Sequence, residues 1–267
     1  LSRRAFLKIA ALGGFTLSNP HLMNKLARWT GDIPSLEKKP NIVVLVFDAL
    51  SACHMSLYGY LRNTTPNISK FADESTVFQR HYAAGNFTIP NTASLLTGVY
   101  PWSHRAFHLY GGLAETYLDK NIFRQLGENT ESLAYTHNTQ TAYLLYQLHT
   151  QINNLYPLDT SAVFDANKAS SVFEHDYPRG FDAYRRWKSL ISSYSNSLFL
   201  RPFMQLSAQS TWIRTMEKYY DAYPLGMVEN VEGVHYKLED TIDWIGRTLE
   251  STAEPFFGYI NLLPPHD

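Results

Sequence analysis

The sequence predicts an α/β fold with a mostly parallel central sheet. Strand-like and helix-like segments alternate along the chain, a pattern typical of parallel strands that are joined by helices. The unbroken apolar run at 41–47 indicates a strand buried on both faces, and the apolar segment at 256–263 is predicted to be the last strand. An amphipathic helix is predicted over 235–250, and its apolar face carries Leu238, Ile242, Ile245 and Leu249.

The other elements follow from local signals. Pro66 suits the first turn of a helix, which we predict over 66–74. Next in chain order, we predict a strand at 76–83, a helix that carries Thr88 and ends at Gly98, a helix at 120–127, a strand at 131–136 and an apolar helix at 140–155. Periodicity weakens over 156–230, where aromatic residues and serines are abundant. We interpret this stretch as a partly helical insertion near the site.

Composition limits the class of protein. With 267 residues, 45% hydrophobic and 14% aromatic, the chain can bury a sizeable core. A formal charge of -1 and the lack of a long basic stretch argue against a nucleic-acid partner. Cys53 is the single cysteine, so an internal disulfide and a multi-cysteine zinc site are excluded.

The N-terminus has the features of a targeting segment. Residues 2–8, Ser-Arg-Arg-Ala-Phe-Leu-Lys, resemble the twin-arginine export consensus, and the mildly apolar run at 9–17 is too short to span a bilayer. We therefore divide the chain into a signal at 1–20, a polar linker at 21–39 and part of a further domain at 40–267. Export to the periplasm, cell envelope or extracellular space is expected. Because a clear Ala-x-Ala cleavage site is missing, membrane association through a retained N-terminus stays open, as does a basic amphipathic helix.

Two side chains stand where a nucleophile and a metal ligand could be placed. Asp48 ends the first apolar strand, and a carboxylate at a strand end can hold a metal ion. Thr88 follows 40 residues later at a predicted helix N-terminus, where backbone N–H groups and the helix dipole favour an anionic oxygen. The alternatives are that Thr88 is an ordinary N-cap and that Asp48 is a turn former.

Several motifs resemble the sulfatase family of the alkaline phosphatase superfamily. The central one is Thr88-Ile89-Pro90-Asn91-Thr92-Ala93-Ser94-Leu95-Leu96-Thr97-Gly98, which is similar to the family's Cys/Ser-x-Pro-Ser/Ala-Arg followed by Ser-Leu-Leu-Thr-Gly. Further matches are Asp48-Ala49-Leu50, Leu57-Tyr58-Gly59-Tyr60, Thr65-Pro66-Asn67-Ile68, Tyr100-Pro101-Trp102-Ser103-His104 and Pro265-His266. Their order and spacing imply an α/β/α sandwich of the alkaline phosphatase type.

Two departures from the family pattern concern chemistry. Sulfatases of the formylglycine type oxidise the first motif residue to an aldehyde, but Thr88 would give a ketone, so no formylglycine is expected. Thr92 replaces the motif's Arg. The chain thus looks like relatives with an unmodified threonine nucleophile, namely lipoteichoic acid synthases, phosphoethanolamine transferases and nucleotide pyrophosphatases. Asp48-Ala49 replaces the Asp-Asp of many sulfatases, which suits a single-metal site.

The resemblance implies a set of roles. Thr88 would be the nucleophile, Asp48 and Thr88 would bind one divalent metal ion, and His104 and His266 would assist at the substrate's anionic oxygens or leaving group. Oxygen ligands allow magnesium, calcium or manganese, and a shell with histidine also admits zinc. Relatives complete the shell with an Asp-His or Asp-Asn pair after the late Pro-His. Because the sequence given ends at Asp267, we expect an N-terminal portion or a truncated product.

The function expected from these residues is a metal-dependent, sulfatase-like hydrolase or transferase. Thr88 would form a covalent ester with phosphate or sulfate esters of small molecules, lipids or glycans. One alternative is a strict arylsulfatase-like sulfuric ester hydrolase. The other is a catalytically dead or truncated envelope binding module, which the missing second Asp and Arg favour.

Overall fold

Four parallel strands form the central sheet of the computed structural model, which describes residues 39–109, 111–165, 200–231 and 233–266. The strands are β1 (Ile42–Phe47), β2 (Glu131–Thr136), β3 (Asn154–Leu155) and β7 (Phe256–Leu262), in the spatial order β1-β7-β2-β3. Phe47 of β1 pairs with Leu262, and Thr136 of β2 pairs with Asn261. The ends of β1, β7 and β2 therefore form one row, called here the carboxyl edge.

A smaller antiparallel sheet lies in the later part of the chain. It contains β4 (Ala162–Asp165), β5 (Val228–Glu229) and β6 (Val234–Tyr236), in the order β4-β6-β5. Tyr236 is buried, and its hydroxyl donates to the Leu158 carbonyl at 2.6 Å. This bond ties β6 to the turn that follows β3.

Seven α-helices are described: α1 (Pro66–Ala72), α2 (Thr88–Thr97), α3 (Pro101–His104), α4 (Ile122–Leu126), α5 (Thr139–Gln147), α6 (Leu200–Met216) and α7 (Leu238–Ser251). On one sheet face, Phe257 and Tyr259 share a buried core with residues of α2 and α5. On the other face, Trp244 and Leu249 of α7 line a crevice with Ile260 of β7. The described chain is thus layered α/β/α, and the predicted α/β fold with a mostly parallel central sheet is confirmed.

Several predicted elements are present. The helix predicted over 66–74 is α1 with Pro66 in its first turn, the Thr88 helix ends at Gly98 with φ 70°, and the strand predicted at 131–136 is β2. The helix predicted at 120–127 is α4, and the last strand is β7. The signal predicted at 1–20, most of the linker at 21–39 and part of the insertion lie outside the described residues. The predicted domain boundaries stay predictions.

The prediction that β1 is buried on both faces is wrong. β1 is an edge strand of the described sheet, so Ile42, Val43, Leu45 and Phe47 are 38% to 48% exposed. Only Val44 and Val46 pack against the core shared with α2 and α5. An apolar run shows that a strand is hydrophobic, but its burial also depends on the elements that pack beside it and on its two faces.

Three other predicted elements differ from the structure. No strand forms at 76–83, because this described segment has no neighbouring strand to pair with. The helix predicted at 140–155 ends at Gln147, because Asn153 bonds both Ser132 N–H (2.9 Å) and Ser132 Oγ (2.7 Å) and draws the chain into β3. The helix predicted over 235–250 begins at Leu238, and Ile242 on its predicted apolar face is 52% exposed.

Neighbouring leucines of α2 provide a test of this packing. Leu96 is 2% exposed in the core, whereas Leu95 is 51% exposed. We expect Leu96→Ala to lower the free energy of unfolding by about 2–5 kcal/mol, since it leaves a cavity. Leu95→Ala, the matched control, should change it by about 0.5 kcal/mol or less. Urea unfolding of both variants measures the difference, and equal losses would contradict the assigned helix face.

Candidate active site

Asp48 lies at the carboxyl edge, directly after β1. Its backbone N–H donates to the Leu262 carbonyl at 2.8 Å, so the chain is still fastened to β7 at this residue. Ala49 then turns the chain away with φ 57°. The Asp48 side chain is half-buried. The backbone of Asp48 is therefore fixed at the end of β1, next to β7.

Asn138 contacts Asp48 from the end of β2. Its side-chain amide donates a hydrogen bond to Asp48 Oδ2. Its Oδ1 accepts from the backbone N–H of Gln140 at 2.8 Å and of Thr141 at 3.1 Å, which makes Asn138 the N-cap of α5. Sequence reasoning did not identify Asn138. The sequence signal that could have identified it is an asparagine, a good N-cap residue, shortly after a predicted strand and before a predicted helix.

A buried polar network fixes the backbone around Asn138. Thr136 Oγ1 accepts from the Asn138 N–H at 2.9 Å and donates to Asn261 Oδ1 at 2.9 Å. The His137 N–H donates to the Asn261 carbonyl at 3.0 Å. The end of β2 is thus joined to β7 by side chains as well as by the strand ladder.

Thr88 is the first residue of α2 and is half-buried. Phe87 occupies the N-cap position and α2 has no side-chain cap, so Thr88 is not an ordinary N-cap. The first bond of the helix runs from the Asn91 N–H to the Phe87 carbonyl at 3.3 Å, which leaves the Thr88 and Ile89 N–H groups ahead of the helical ladder. Such groups favour a negatively charged oxygen at this end of α2.

The loop before Thr88 folds back onto the first turn of α2. Gly85 N–H donates to Asn91 Oδ1 at 2.6 Å. A Cβ on Gly85 would lie 2.8 Å from Pro90 Cβ and Cγ, so only glycine fits without a shift. This contact fixes the path by which the chain enters α2 at Thr88.

The buried Tyr259 phenol of β7 is affected by side chains of α2 and α5 and by Asp48. Burial raises the pKa of Tyr259, the Asp48 carboxylate also raises it, and the Thr92 and Thr141 hydroxyls oppose the rise. Both hydroxyls are near the phenol, although its oxygen has no well-aligned hydrogen-bond partner among the described residues. Thr88 lies one turn before Thr92 on the same face of α2. The face of α2 that carries Thr88 and Thr92 therefore packs towards Tyr259 of β7.

His104 is fully buried against α2. Its Nδ1 accepts from the Ala106 N–H at 3.1 Å, so the ring proton sits on Nε2, which is 2.9 Å from Ser94 Oγ. Burial lowers the pKa of His104, and backbone hydrogen bonding at Pro90 and at His104 itself opposes this effect. These contacts make His104 a link between α3 and α2. A catalytic role for His104 stays a prediction.

His266 is exposed just beyond β7, on the same carboxyl edge as Asp48. Its backbone N–H donates to the Leu263 carbonyl at 2.9 Å, which turns the chain after the strand. The structure thus brings Asp48, Asn138 and the His266 segment to one edge. A role for His266 at a leaving group stays a prediction.

The predicted metal ligands are Asp48 at the carboxyl edge and Thr88 at the first residue of α2. Asp48 has one oxygen that Asn138 does not hold, and Thr88 supplies a hydroxyl. Both are oxygen donors of the kind that magnesium, calcium and manganese bind. Within the described residues no group of three or more His, Cys, Asp or Glu side chains could hold a metal ion. A metal-binding role for Asp48 and Thr88 stays a prediction.

His137 is a buried histidine on the opposite face of the sheet. Its ring stacks on Tyr236 at 3.9 Å between centroids, and neither ring nitrogen has a hydrogen-bond partner among the described residues. Burial lowers the pKa of His137 to about 3. The ring is therefore neutral at physiological pH.

Among the described helices, none combines the length and apolar character that a membrane span requires.

Comparisons with known proteins identify a family and several relatives. The sequence model of one protein family, described as Sulfatase, matches residues 40–267. An N-acetylgalactosamine-6-O-sulfatase of Bacteroides thetaiotaomicron is 33% identical over 82 residues, which cover 31% of this chain and 16% of that protein. An arylsulfatase of Clostridium perfringens is 24% identical over 233 residues, which cover 85% of this chain and 44% of that protein.

A solved structure, the phosphonate monoester hydrolase of Agrobacterium radiobacter, is similar with a TM-score of 0.48 and 16% identity. The similarity covers 86% of this chain and 42% of that chain. The matched regions thus span less than half the length of each of these three proteins.

The buried His137 predicts a pH-dependent stability. The unfolded chain takes up a proton at this ring near pH 6.5, whereas the folded chain does so only at about pH 3. Between these values the unfolded state binds more protons, so the free energy of unfolding falls as pH falls, by up to about 1.4 kcal/mol per unit. Urea unfolding at several pH values should show a shallower dependence for His137→Phe. His149→Phe, at an exposed ring, is the control; parallel curves for His137→Phe and the unaltered chain would contradict the assignment.

Proposed function

The chain belongs to the sulfatase family, and from this membership we propose that it cleaves phosphate esters, and sulfate esters as a second substrate class, through a covalent ester on Thr88. The observation that carries the proposal is the position of Thr88. Its hydroxyl stands at the first residue of α2, beside N–H groups that precede the helical ladder, and it does not cap the helix.

The proposed reaction has two steps. Thr88 Oγ1 attacks phosphorus, the bond from phosphorus to the leaving alkoxide breaks, and the threonine proton passes to solvent or a nearby base. The leaving alkoxide takes a proton, for which His266 is the candidate donor. Water or an acceptor alcohol then attacks the same phosphorus, releases the Thr88 hydroxyl and makes the protein a hydrolase or a transferase.

The chain's own groups would stabilise the developing charge. The Thr88 and Ile89 N–H groups and the dipole of α2 favour anionic ester oxygens. Asp48 and Thr88 would hold one divalent cation, whose charge would lower the pKa of the threonine hydroxyl and neutralise the ester oxygens. Magnesium, calcium and manganese suit these oxygen donors, and zinc would suit a shell that includes His266.

The choice between phosphorus and sulfur follows from two observations. An unmodified threonine supports phosphate esters, by the resemblance to threonine-dependent relatives. The curated relatives include an N-acetylgalactosamine-6-O-sulfatase and an arylsulfatase, which supports sulfate esters, including those of glycans, as the second candidate. Export by the twin-arginine route and membrane association through the N-terminus fit glycan or lipid substrates outside the cytoplasm and are part of the proposal.

Thr88→Ala tests the proposed nucleophile. It should lower turnover of aryl phosphate and of aryl sulfate at least about a thousandfold, because no other group replaces the attacking oxygen. Thr88→Ser, which keeps a hydroxyl, should retain part of the activity. Thr97→Ala removes a hydroxyl from the other end of α2 and is the matched control. Initial rates with each ester in the presence of magnesium, manganese or calcium measure the effect.

Two results would reject this function. One is turnover that survives Thr88→Ala. The other is a folded chain that binds manganese, turns over neither ester and forms no covalent adduct on Thr88 with labelled aryl phosphate or sulfate. The second result would favour the alternative of a non-catalytic binding module.

A further inference from the structure

We infer that Asn138 is a positioning residue for the Asp48 carboxylate: its amide holds one carboxylate oxygen and leaves the other available to a cation. This role rests on the proposed function, which makes Asp48 a cation ligand. It extends that function to a residue 90 positions away in the sequence.

The orientation of the Asn138 amide is fixed by its own contacts. Asn138 Oδ1 accepts from two backbone N–H groups, those of Gln140 and Thr141. An asparagine whose oxygen faces two donors must turn its NH₂ group the other way. That group meets Asp48 Oδ2, an ionised acceptor, so the bond is charge-assisted. A flipped amide would lose all three contacts.

Asp48 and Asn138 are each anchored to β7 independently of one another. The Asp48 N–H bonds the Leu262 carbonyl at 2.8 Å. The Asn138 N–H bonds Thr136 Oγ1, which in turn bonds the buried Asn261 side chain. Donor and acceptor are therefore held in place before any ligand binds, and neither can move away without breaking contacts with the central strand.

The positioning matters because this site has one carboxylate where many relatives have two. Ala49 follows Asp48, so the residue next to Asp48 does not supply a second carboxylate to orient a cation. A carboxylate with one oxygen bound to an amide cannot rotate freely, and its Oδ1 is the oxygen that this bond leaves open to a cation. Partners of this kind typically change metal affinity by about 10–100-fold when removed.

Asn138→Ser separates positioning from helix capping. Serine caps a helix about as well as asparagine but lacks the amide that reaches Asp48. We expect the variant to stay folded, to lose up to about tenfold in its unfolding equilibrium constant in cation-free buffer because the bond to Asp48 is gone, and to bind manganese about tenfold more weakly. Calorimetric titration of the folded chain measures the manganese affinity. Asn121→Ser is the matched control, because Asn121 is the N-cap of α4. Manganese binding by Asn138→Ser at unaltered affinity would overturn the inference.

A double-mutant cycle in cation-free buffer keeps this inference distinct from the proposed function. Urea unfolding of Asp48→Ala, Asn138→Ser and the double variant should show about tenfold coupling in the unfolding equilibrium constant. Additive effects would overturn the positioning role. Failure of the unaltered chain to bind manganese or cleave either ester would reject the proposed function, while the coupling would still decide whether Asn138 holds Asp48.

Asn138→Asp serves if Asn138→Ser does not fold. It retains an N-cap oxygen but places a second carboxylate against Asp48. The cation-free urea midpoint should fall, and manganese should raise it more than in the unaltered chain, because two carboxylates would then share the cation. An unchanged cation-free midpoint would overturn the inference.

Discussion

The parallel pairing of β1 and β2 on either side of β7 is the constraint on which the candidate site depends. Parallel strands end on the same side of a sheet, so Phe47, Leu262 and Thr136 finish in one row although they are far apart in sequence. Asp48, Asn138 and the segment before His266 are the next residues out. Every residue of β7 is buried, and this central strand accepts hydrogen bonds from the residues just beyond both neighbours. Slipping either pairing by one residue would separate Asp48 from Asn138.

The position of Thr88 depends on polar contacts inside an otherwise apolar layer. Leucines and isoleucines of α2 and α5 bury apolar surface against β7, but such packing alone tolerates sliding. The Ser94–His104 bond and the contact of Gly85 with Asn91 are directional. Because burial lowers the pKa of His104, the neutral ring keeps its Nδ1 lone pair for the Ala106 N–H. These few hydrogen bonds help to fix the orientation of α2 and therefore the position of Thr88 at its N-terminus.

Sequence reasoning located the local features of the site and missed the contacts between them. The end of β1 at Asp48, the start of α2 at Thr88 and the stop at Gly98 follow from apolar runs and turn chemistry, which are local. Asn138 was missed because its contact requires the strand order β1-β7-β2, which places the last strand between the first two. The same missing information explains why β1 was expected to be covered on both faces. The contacts of Asp48 depend on which strands lie side by side in the sheet, and local propensity does not determine that order.

The two departures from the family motif, Ala49 in place of the second Asp and Thr92 in place of the Arg, balance each other in charge. Thr92, at the motif's Arg position, is buried near the Tyr259 phenol. The Asp48 carboxylate accepts a hydrogen bond from the neutral Asn138 amide, and the Thr136 and Asn261 side chains behind Asn138 are neutral as well. A guanidinium buried at position 92 would need a carboxylate partner, and Asp48 already has one oxygen engaged with Asn138. Loss of the second Asp at position 49 and of the Arg therefore removes one charge of each sign and keeps the balance. What remains at Asp48 is a single carboxylate, held by the Asn138 amide beside the N-terminus of α5.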